Sequence, residues 1–287
     1  MKKKTIIKKF LIILCSLSIS FYFFYSYKFD KENNNLEVYF FDSGQADSIL
    51  IKTPEQKNII IDFGSEQGLK ELEKIIPWWN KKIDLIIITH PHDDHITGLI
   101  PIIKKYQIEK IIYTGINYSS NIYNELLELI HNYNIPLEIS SFNKTINLGI
   151  ECNLKIIYPI DDLYKKTMDD INDSSIISYL NCKNKTFIFM GDAGINPEKE
   201  IMNLKINLES DVIKIGHHGS ITATSQKFLE EVNPGIAVIM VGKENNFDHP
   251  NLRIIKRLER MNIKIFRTDK HGTIKIISDG NKLYTNH

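Results

Sequence analysis

Residues 89–95 read Thr-His-Pro-His-Asp-Asp-His, which puts three imidazoles and two carboxylates into the six positions from His90 to His95. His90 and His92 are spaced to converge on one cation, while Asp94 and His95 point at a second. Imidazole nitrogen and carboxylate oxygen together suit zinc, manganese or iron. Two later segments close on the same kinds of group. Residues 187–193 are an apolar run ending in Gly191-Asp192, where a carboxylate could bridge two metals roughly 3.5–4 Å apart. Residues 211–220 run into the glycine-flanked pair His217-His218. One of these completes the second cation site and the other faces substrate; spacing does not choose between them. The chemistry indicated is metal-assisted hydrolysis. A water bridging two cations loses a proton near neutral pH, and the hydroxide attacks phosphorus or, less readily, a carbonyl carbon.

Such groups act together only if stiff elements hold them. The β-branched, apolar run at 83–88 reads as a buried strand that delivers the first cluster. The pattern predicts strands at 37–41, 48–52, 58–62, 83–89, 110–113, 153–158, 176–180, 186–190, 211–215, 236–241, 264–267 and 273–278. Helical periodicity is expected at 69–76, 98–106, 123–133, 197–203, 225–231 and 250–261. No internal linker, low-complexity tract or short repeat interrupts the chain. One catalytic domain (36–287) therefore follows an N-terminal segment (1–29). That segment is basic over residues 2–9, then uncharged and mostly apolar over 10–27. It reads as a membrane anchor or a cleaved signal. The leading lysines stay cytoplasmic, so in either case the catalytic domain lies outside.

The order of the motifs extends the reading. Residues 41–50 (Phe-Asp-Ser-Gly-Gln-Ala-Asp-Ser-Ile-Leu), Ile60-Ile61-Asp62-Phe63-Gly64, the His cluster, Gly191-Asp192-Ala193, residues 214–220, Asp248-His249-Pro250 and Arg267-Thr268-Asp269 span nearly all of 36–278. In this order they resemble the metallo-β-lactamase-fold hydrolases, and more narrowly the soluble hydrolase domain of ComEC-type competence DNA-uptake proteins. The resemblance implies an α/β fold of α+β layers: an αββα sandwich, two sheets face to face with helices outside. It also implies a phosphodiesterase or nuclease with two divalent ions, Zn or Mn, acting on a phosphoester such as single-stranded DNA. Many relatives place another metal-binding His between the cluster and the bridging Asp. Here that interval holds only His131, within the surface helix at 123–133. The corresponding stretch is 171–175, where Asn172 or Asp173 supplies an oxygen, water fills the position, or the residues simply form a turn.

Three residues are expected to be catalytic. Asp94 ligates the second ion. Asp62, at a strand end, orients a ligand His or the water from behind, or merely ends its strand. His249, before Pro250 at the first turn of a helix, meets a leaving group or phosphate as acid or donor, or only caps the loop. The resemblance places the turn holding Asp42, Gln45 and Asp47 near the site mouth; hairpin chemistry is the other reading. Ser220 is a candidate substrate contact. Trp78 and Trp79 could rim a choline-like cation, or could be packed.

Charge and cysteines qualify the substrate. The chain is +1 overall, but six lysines precede residue 30 and no acid does; the remainder carries 30 basic and 35 acidic residues, or −5. A bulk basic footprint for nucleic acid is missing, although Lys256, Arg257, Arg260, Lys264 and Arg267 form a local group. A hydrolase of a smaller ester (a phosphocholine ester, a lactone or a β-lactam) is the alternative. A catalytically silent domain that binds DNA or a partner is a third reading. Cys15 lies in the apolar segment, and Cys152 and Cys182 could pair in the exported domain. Oligomeric state is not legible.

Overall fold

Side chains along the central strands alternate between two apolar environments, so the strands read as continuous apolar runs. The computed structural model describes residues 2–32, 35–77 and 79–287, with side chains placed for 8–24, 35–77 and 79–287. The first half of the chain supplies β1 (Leu36–Phe40), β2 (Ser48–Lys52), β3 (Asn58–Phe63), β4 (Lys82–Ile83), β5 (Leu85–Ile87), β6 (Gln107–Ile108), β7 (Ile111–Tyr113) and β8 (Leu137–Ile139). The second half supplies β9 (Thr145–Asn147), β10 (Cys152–Tyr158), β11 (Ile177–Cys182), β12 (Lys185–Phe189), β13 (Val212–Lys214), β14 (Ile236–Ile239), β15 (Lys264–Arg267), β16 (Ile274–Ser278) and β17 (Leu283–Thr285). The first sheet has the order β17-β16-β1-β2-β3-β5-β7-β8 and the second β15-β14-β13-β12-β11-β10-β9, while β4 and β6 pair separately.

Three apolar clusters define four layers. Val38, Phe40, Ile49, Ile61 and Ile87 of the first sheet meet Leu154, Ile156, Phe187, Phe189 and Val238 of the second between the sheets. The opposite faces, Phe41, Leu50, Ile60 and Ile86, pack under α2 (Leu69–Ile75), α4 (Leu99–Lys105) and α5 (Asn121–Asn132). Ile188, Ile213, Ala237 and Ile239 pack under α6 (Ile195–Asn203), α7 (Gln226–Val232) and α8 (Leu252–Arg260). Two short helices, α3 (Asp93–Ile96) and α9 (Thr268–His271), complete the domain. This is the expected αββα order. Within it, β3, β5 and β7 run parallel in one sheet and β12 to β15 in the other. The C-terminal ends of parallel strands are where loops converge on ligands in such sheets.

All twelve expected strands form, with three differences of detail. The run at 83–89 breaks at Asp84, whose carboxylate accepts the Asn58 N–H (2.9 Å) and pairs with Lys82. Short strands β6, β8, β9 and β17 carry too few residues to show a period. The last large helix starts at Leu252, capped by Asn251, so Pro250 lies outside its first turn. Cys152 and Cys182 stand opposite one another on β10 and β11 and form a disulfide.

The N-terminal segment forms α1 (Lys2–Glu32). Its large apolar side chains from Phe10 to Phe24 are exposed. Among the described residues no helix is long and apolar enough to cross a membrane. The expected membrane segment, 10–27, lies partly outside the residues whose side chains are described.

Candidate metal centre

Asp62, next to last in β3, has a left-handed φ of 53°, a conformation that Asp tolerates better than most residues. The turn directs its carboxylate to the next strand end. Oδ1 accepts the Thr89 N–H (2.8 Å), and Oδ2 accepts the Thr89 hydroxyl (2.6 Å) and His95 Nδ1 (2.7 Å). With Nδ1–H spent on Asp62, His95 turns Nε2 toward the centre, where, against the effect of burial, the surrounding carboxylates raise its pKa. Gly64 lets this corner close, because a Cβ there would lie 1.6 Å from the Asp94 carbonyl oxygen. The His cluster is not a loop throughout: Asp93–Ile96 is the helical turn α3, and it projects Asp94 and His95 from adjacent positions.

From the second sheet, β12 ends at Gly191-Asp192. Gly191 has φ 53°, and a Cβ there would meet Thr89 and Ser175 at 3.0 Å, so the two sheets approach closely at this point. After β13, His217 and His218 both adopt left-handed φ, 47° and 51°. Two successive non-glycine residues in this region store strain, which is typical of functional turns. The turn is held by the His217 N–H on Gly191 O (3.2 Å) and the Ser220 N–H on His217 O (2.7 Å). His218 Nδ1 donates to the Met240 carbonyl (2.9 Å), and Nε2 faces the carboxylates of Asp94 and Asp192, which, against the effect of burial, raise the pKa of the ring.

Four groups converge. Ligand-type atoms of Asp94, His95, Asp192 and His218 all lie within 4.8 Å of one another. Asp192 Oδ2 is 3.4 Å from both His95 Nε2 and His218 Nε2, and His218 Nε2 is 3.4 Å from Asp94 Oδ2. His95 Nε2 and His218 Nε2 are buried without a well-formed hydrogen bond. Buried polar atoms normally have partners, so orphaned atoms aimed at one point fit a cation. Burial opposes ionisation of Asp94 and Asp192, yet the adjoining imidazoles, and Lys214 beside Asp192, hold both well below the usual carboxylate range. Both are carboxylates at neutral pH.

His90 and His92 form a second, leaner group. His90 Nε2 and His92 Nδ1 are 3.1 Å apart, and burial together with His95 keeps His90 neutral. Among the described residues, no further His, Cys, Asp or Glu joins them as a compact group. In the stretch expected to supply an oxygen, the Asp173 carboxylate is otherwise engaged. Asp173 accepts the Gly194 N–H (3.1 Å) and the Asn196 amide (3.2 Å), tying it to the start of α6. Asn172 lies in the turn before Ser175, its N–H on Asp170 and its carbonyl accepting the Ser175 N–H. Ser175 itself does work that the sequence did not reveal. Its hydroxyl lies 3.3 Å from His90 Nδ1 and accepts the Asp192 N–H (3.0 Å), supporting both groups from behind.

Around this centre the other expected residues divide. His217 is half-exposed, with Nε2 4.0 Å from Asp192 Oδ2, and stays outside the four-residue group. Its ring meets His249 edge-on at 5.6 Å. His249 is half-buried, and its Nδ1 has no hydrogen-bond partner. Burial lowers the pKa of both imidazoles. Asn245 fixes the His249 backbone, accepting its N–H (3.0 Å) and donating to its carbonyl (2.8 Å). Gln45 and Asp47 are not free for substrate in the way the turn suggested. Gln45 Oε1 accepts the Gly242 N–H (3.0 Å), and Asp47 is buried in an ion pair with Lys214. The Ser220 hydroxyl is buried in its own turn, 2.9 Å from Thr222 Oγ1. His131 is exposed on the last turn of α5. Trp78 lies outside the described residues. Trp79 precedes β4, at the end of the sheet layer away from the cluster, beside Glu73, Pro77 and Tyr106.

The geometry agrees with what the chain resembles among known proteins. The profile described as Metallo-beta-lactamase superfamily matches residues 42–121, which contain the His cluster. ComE operon protein 3 of Bacillus subtilis (strain 168) is 27% identical over 258 residues, covering 83% of this chain and 32% of that protein. Competence protein ComA of Neisseria gonorrhoeae is 24% identical over 252 residues, covering 84% and 32%. This chain therefore spans about a third of the length of these relatives. Among solved structures, Igni18, a metallo hydrolase of the archaeon Ignicoccus hospitalis, superimposes with a TM-score of 0.53 at 16% identity, covering 84% of this chain and 98% of that one.

Proposed function

We propose that this chain, which has a metallo-β-lactamase fold and is homologous to the ComEC-type competence proteins, is a metal-dependent phosphodiesterase acting outside the cytoplasm, with nuclease activity as its finer form. The observation that carries the reading is the convergence of Asp94, His95, Asp192 and His218 with their buried nitrogens unpartnered. These four residues would hold one divalent cation, and His90 with His92 would contribute to a second, Zn or Mn. A cation bound there supplies Lewis acidity toward a phosphoryl oxygen and makes a water a nucleophile near neutral pH.

The chain's own groups do the rest. Asp62 and the Met240 carbonyl take the Nδ1–H of His95 and His218, so Nε2 is the atom each ring turns to a cation. Against the effect of burial, the neighbouring carboxylates raise both pKa values, and the Nε2 protons would be replaced by a bound cation. His217 and His249 stand together at the rim as neutral imidazoles. An N–H on either can hold a phosphoryl or leaving oxygen, and His249 is the better placed donor because Asn245 locks its backbone. Export is supported by the basic-then-apolar start of the chain and by the Cys152–Cys182 disulfide, a bond that persists in oxidising compartments.

One observation favours the second reading, a small phosphoester. Beyond residue 29 the chain is net −5, which repels a polyanion in bulk. The deciding assay loads the purified chain with Mn or Zn. It then offers single-stranded DNA, bis(p-nitrophenyl) phosphate and p-nitrophenyl phosphorylcholine. DNA cleavage that disappears in Asp94→Ala supports the nuclease. Turnover of the choline ester alone supports the small substrate. Bound metal without turnover of any of the three removes the phosphoester readings and leaves the binding domain open.

A further inference from the structure

Behind the four converging ligands lies a cation that belongs to the chain. Lys214, the last residue of β13, is 1% exposed. Its ammonium pairs with Asp47, donates to the Gly191 carbonyl (2.9 Å) and stands 3.6 Å from Asp192 Oδ1. Asp47, also 1% exposed, comes from the turn between β1 and β2 in the other sheet. Its N–H donates to the Asp94 carbonyl (3.2 Å), its own carbonyl accepts the Gly64 N–H (2.8 Å), and its Oδ1 lies 3.6 Å from His218 Nδ1. A buried lysine is costly unless paired, and no step above uses this one.

The ligands themselves are split. Asp94 and His95 hang from the first sheet, Asp192 and His218 from the second. Something must set the distance between the two halves. Lys214 touches the Asp192 side and Asp47 holds the Asp94 side. We propose that the Asp47–Lys214 pair is an inter-sheet clamp whose two members are positioning residues for the metal ligands. The ammonium faces Asp192 Oδ1, which turns Oδ2 toward His95 and His218. The inference rests on the metal-site reading above and extends it to two residues that ligate nothing.

Two effects of opposite sign separate this role from a bulk electrostatic one. An ammonium close to a ligand carboxylate repels an incoming divalent ion, so charge alone says that removing Lys214 tightens metal binding. Positioning says that removal weakens it. The test titrates the full chain with Co(II), measures affinity by chelator competition and records the ligand-field spectrum, which reports coordination geometry independently of turnover. Lys214→Met is expected to bind cobalt about 10–100-fold more weakly, the range for outer partners of metal ligands, with shifted bands. Asp47→Asn, nearly isosteric, loses an anion and so weakens binding by charge alone; it is read by its shifted bands, and it serves if Lys214→Met does not fold. The double variant is expected to bind no more weakly than the worse single one. Wild-type affinity, tighter binding or an unshifted spectrum in the folded variants overturns the clamp. A wild-type chain that binds no cobalt overturns the clamp and the metal reading together; one that binds cobalt without cleaving phosphodiesters overturns only the activity.

Discussion

His217 and His218 are neighbours with opposite roles, and the difference comes from one dihedral step. Successive left-handed residues swing one ring into the core, onto the Met240 carbonyl, and leave the other at the rim beside His249. His218→Ala is therefore expected to lose metal and activity together. His217→Ala should retain the metal, as measured by elemental analysis, while kcat falls about 10²-fold or more, the usual contribution of a proton-transfer group. Equal metal loss in both variants would contradict the assignment. Asp62→Asn tests the residue behind His95. It keeps the shape but no longer forces the Nδ1–H tautomer, and about 10–100-fold in metal affinity should go with it. The candidate ligands stood out in the sequence because they are chemically rare types at strand ends, although which of His217 and His218 turns inward did not. Their supports were not. Ser175, Thr89, Lys214 and Asn245 are ordinary residues whose roles arise only when two sheets, distant in sequence, are pressed together.

At the scale of elements, the site depends on how closely backbones can pass. Gly64→Ala would drive a Cβ into the Asp94 carbonyl, with no flexible side chain to yield. The expected cost is about 3 kcal/mol, the upper end for overpacking, seen as a lower Tm together with weakened metal binding. Away from the site, the first sheet is tied by Glu37 on β1. Burial opposes its ionisation, but the Lys275 ammonium (2.7 Å) and the Tyr39 hydroxyl (2.7 Å) hold its carboxyl below the ordinary 4.5. Because the folded value is depressed, this stabilisation is present above pH 4.5 and fades as pH falls through the folded value. Glu37→Gln should be about 1 kcal/mol less stable at pH 7. Its denaturation curve should approach that of the wild type below pH 4.5. Element periods were readable wherever runs were long. They failed at α3, where the last three residues of the ligand motif and Ile96 form a helical turn too short to show a repeat, and at Asp84, where a side chain replaces a strand bond.

For the whole molecule, the distribution of charge bears on the substrate more than its sum does. Arg253, Lys256, Arg257 and Arg260 recur at helical spacing along α8 and, with Glu259, line a surface depression of about 550 Å³. Arg257 is engaged with the Thr224 carbonyl, leaving the other three toward solvent. The helix starts at the rim, where the Asn251 N–H donates to Gly219 O (2.9 Å). If a nucleic-acid strand is the substrate, reversing Arg253, Lys256 and Arg260 to Glu should weaken its binding. The salt slope should drop by roughly 2, at about 0.7 per phosphate contact on single strands. Hydrolysis of bis(p-nitrophenyl) phosphate should be unchanged. A salt slope equal to that of the wild type would move the strand elsewhere on the surface.

The first sheet also draws on both halves of the chain: β1 pairs with β16, Glu37 opposite Ile277. That sheet is incomplete until the residues of β16 arrive, some 240 positions after its first strand. A ribosome or translocase delivering the polypeptide from its N-terminus thus releases most of it before the ligand-bearing loops have a scaffold. If this chain crosses a membrane unfolded, its ion would be chosen on the far side, from whatever that compartment offers when the last strands dock, rather than by the metal balance of the cytosol.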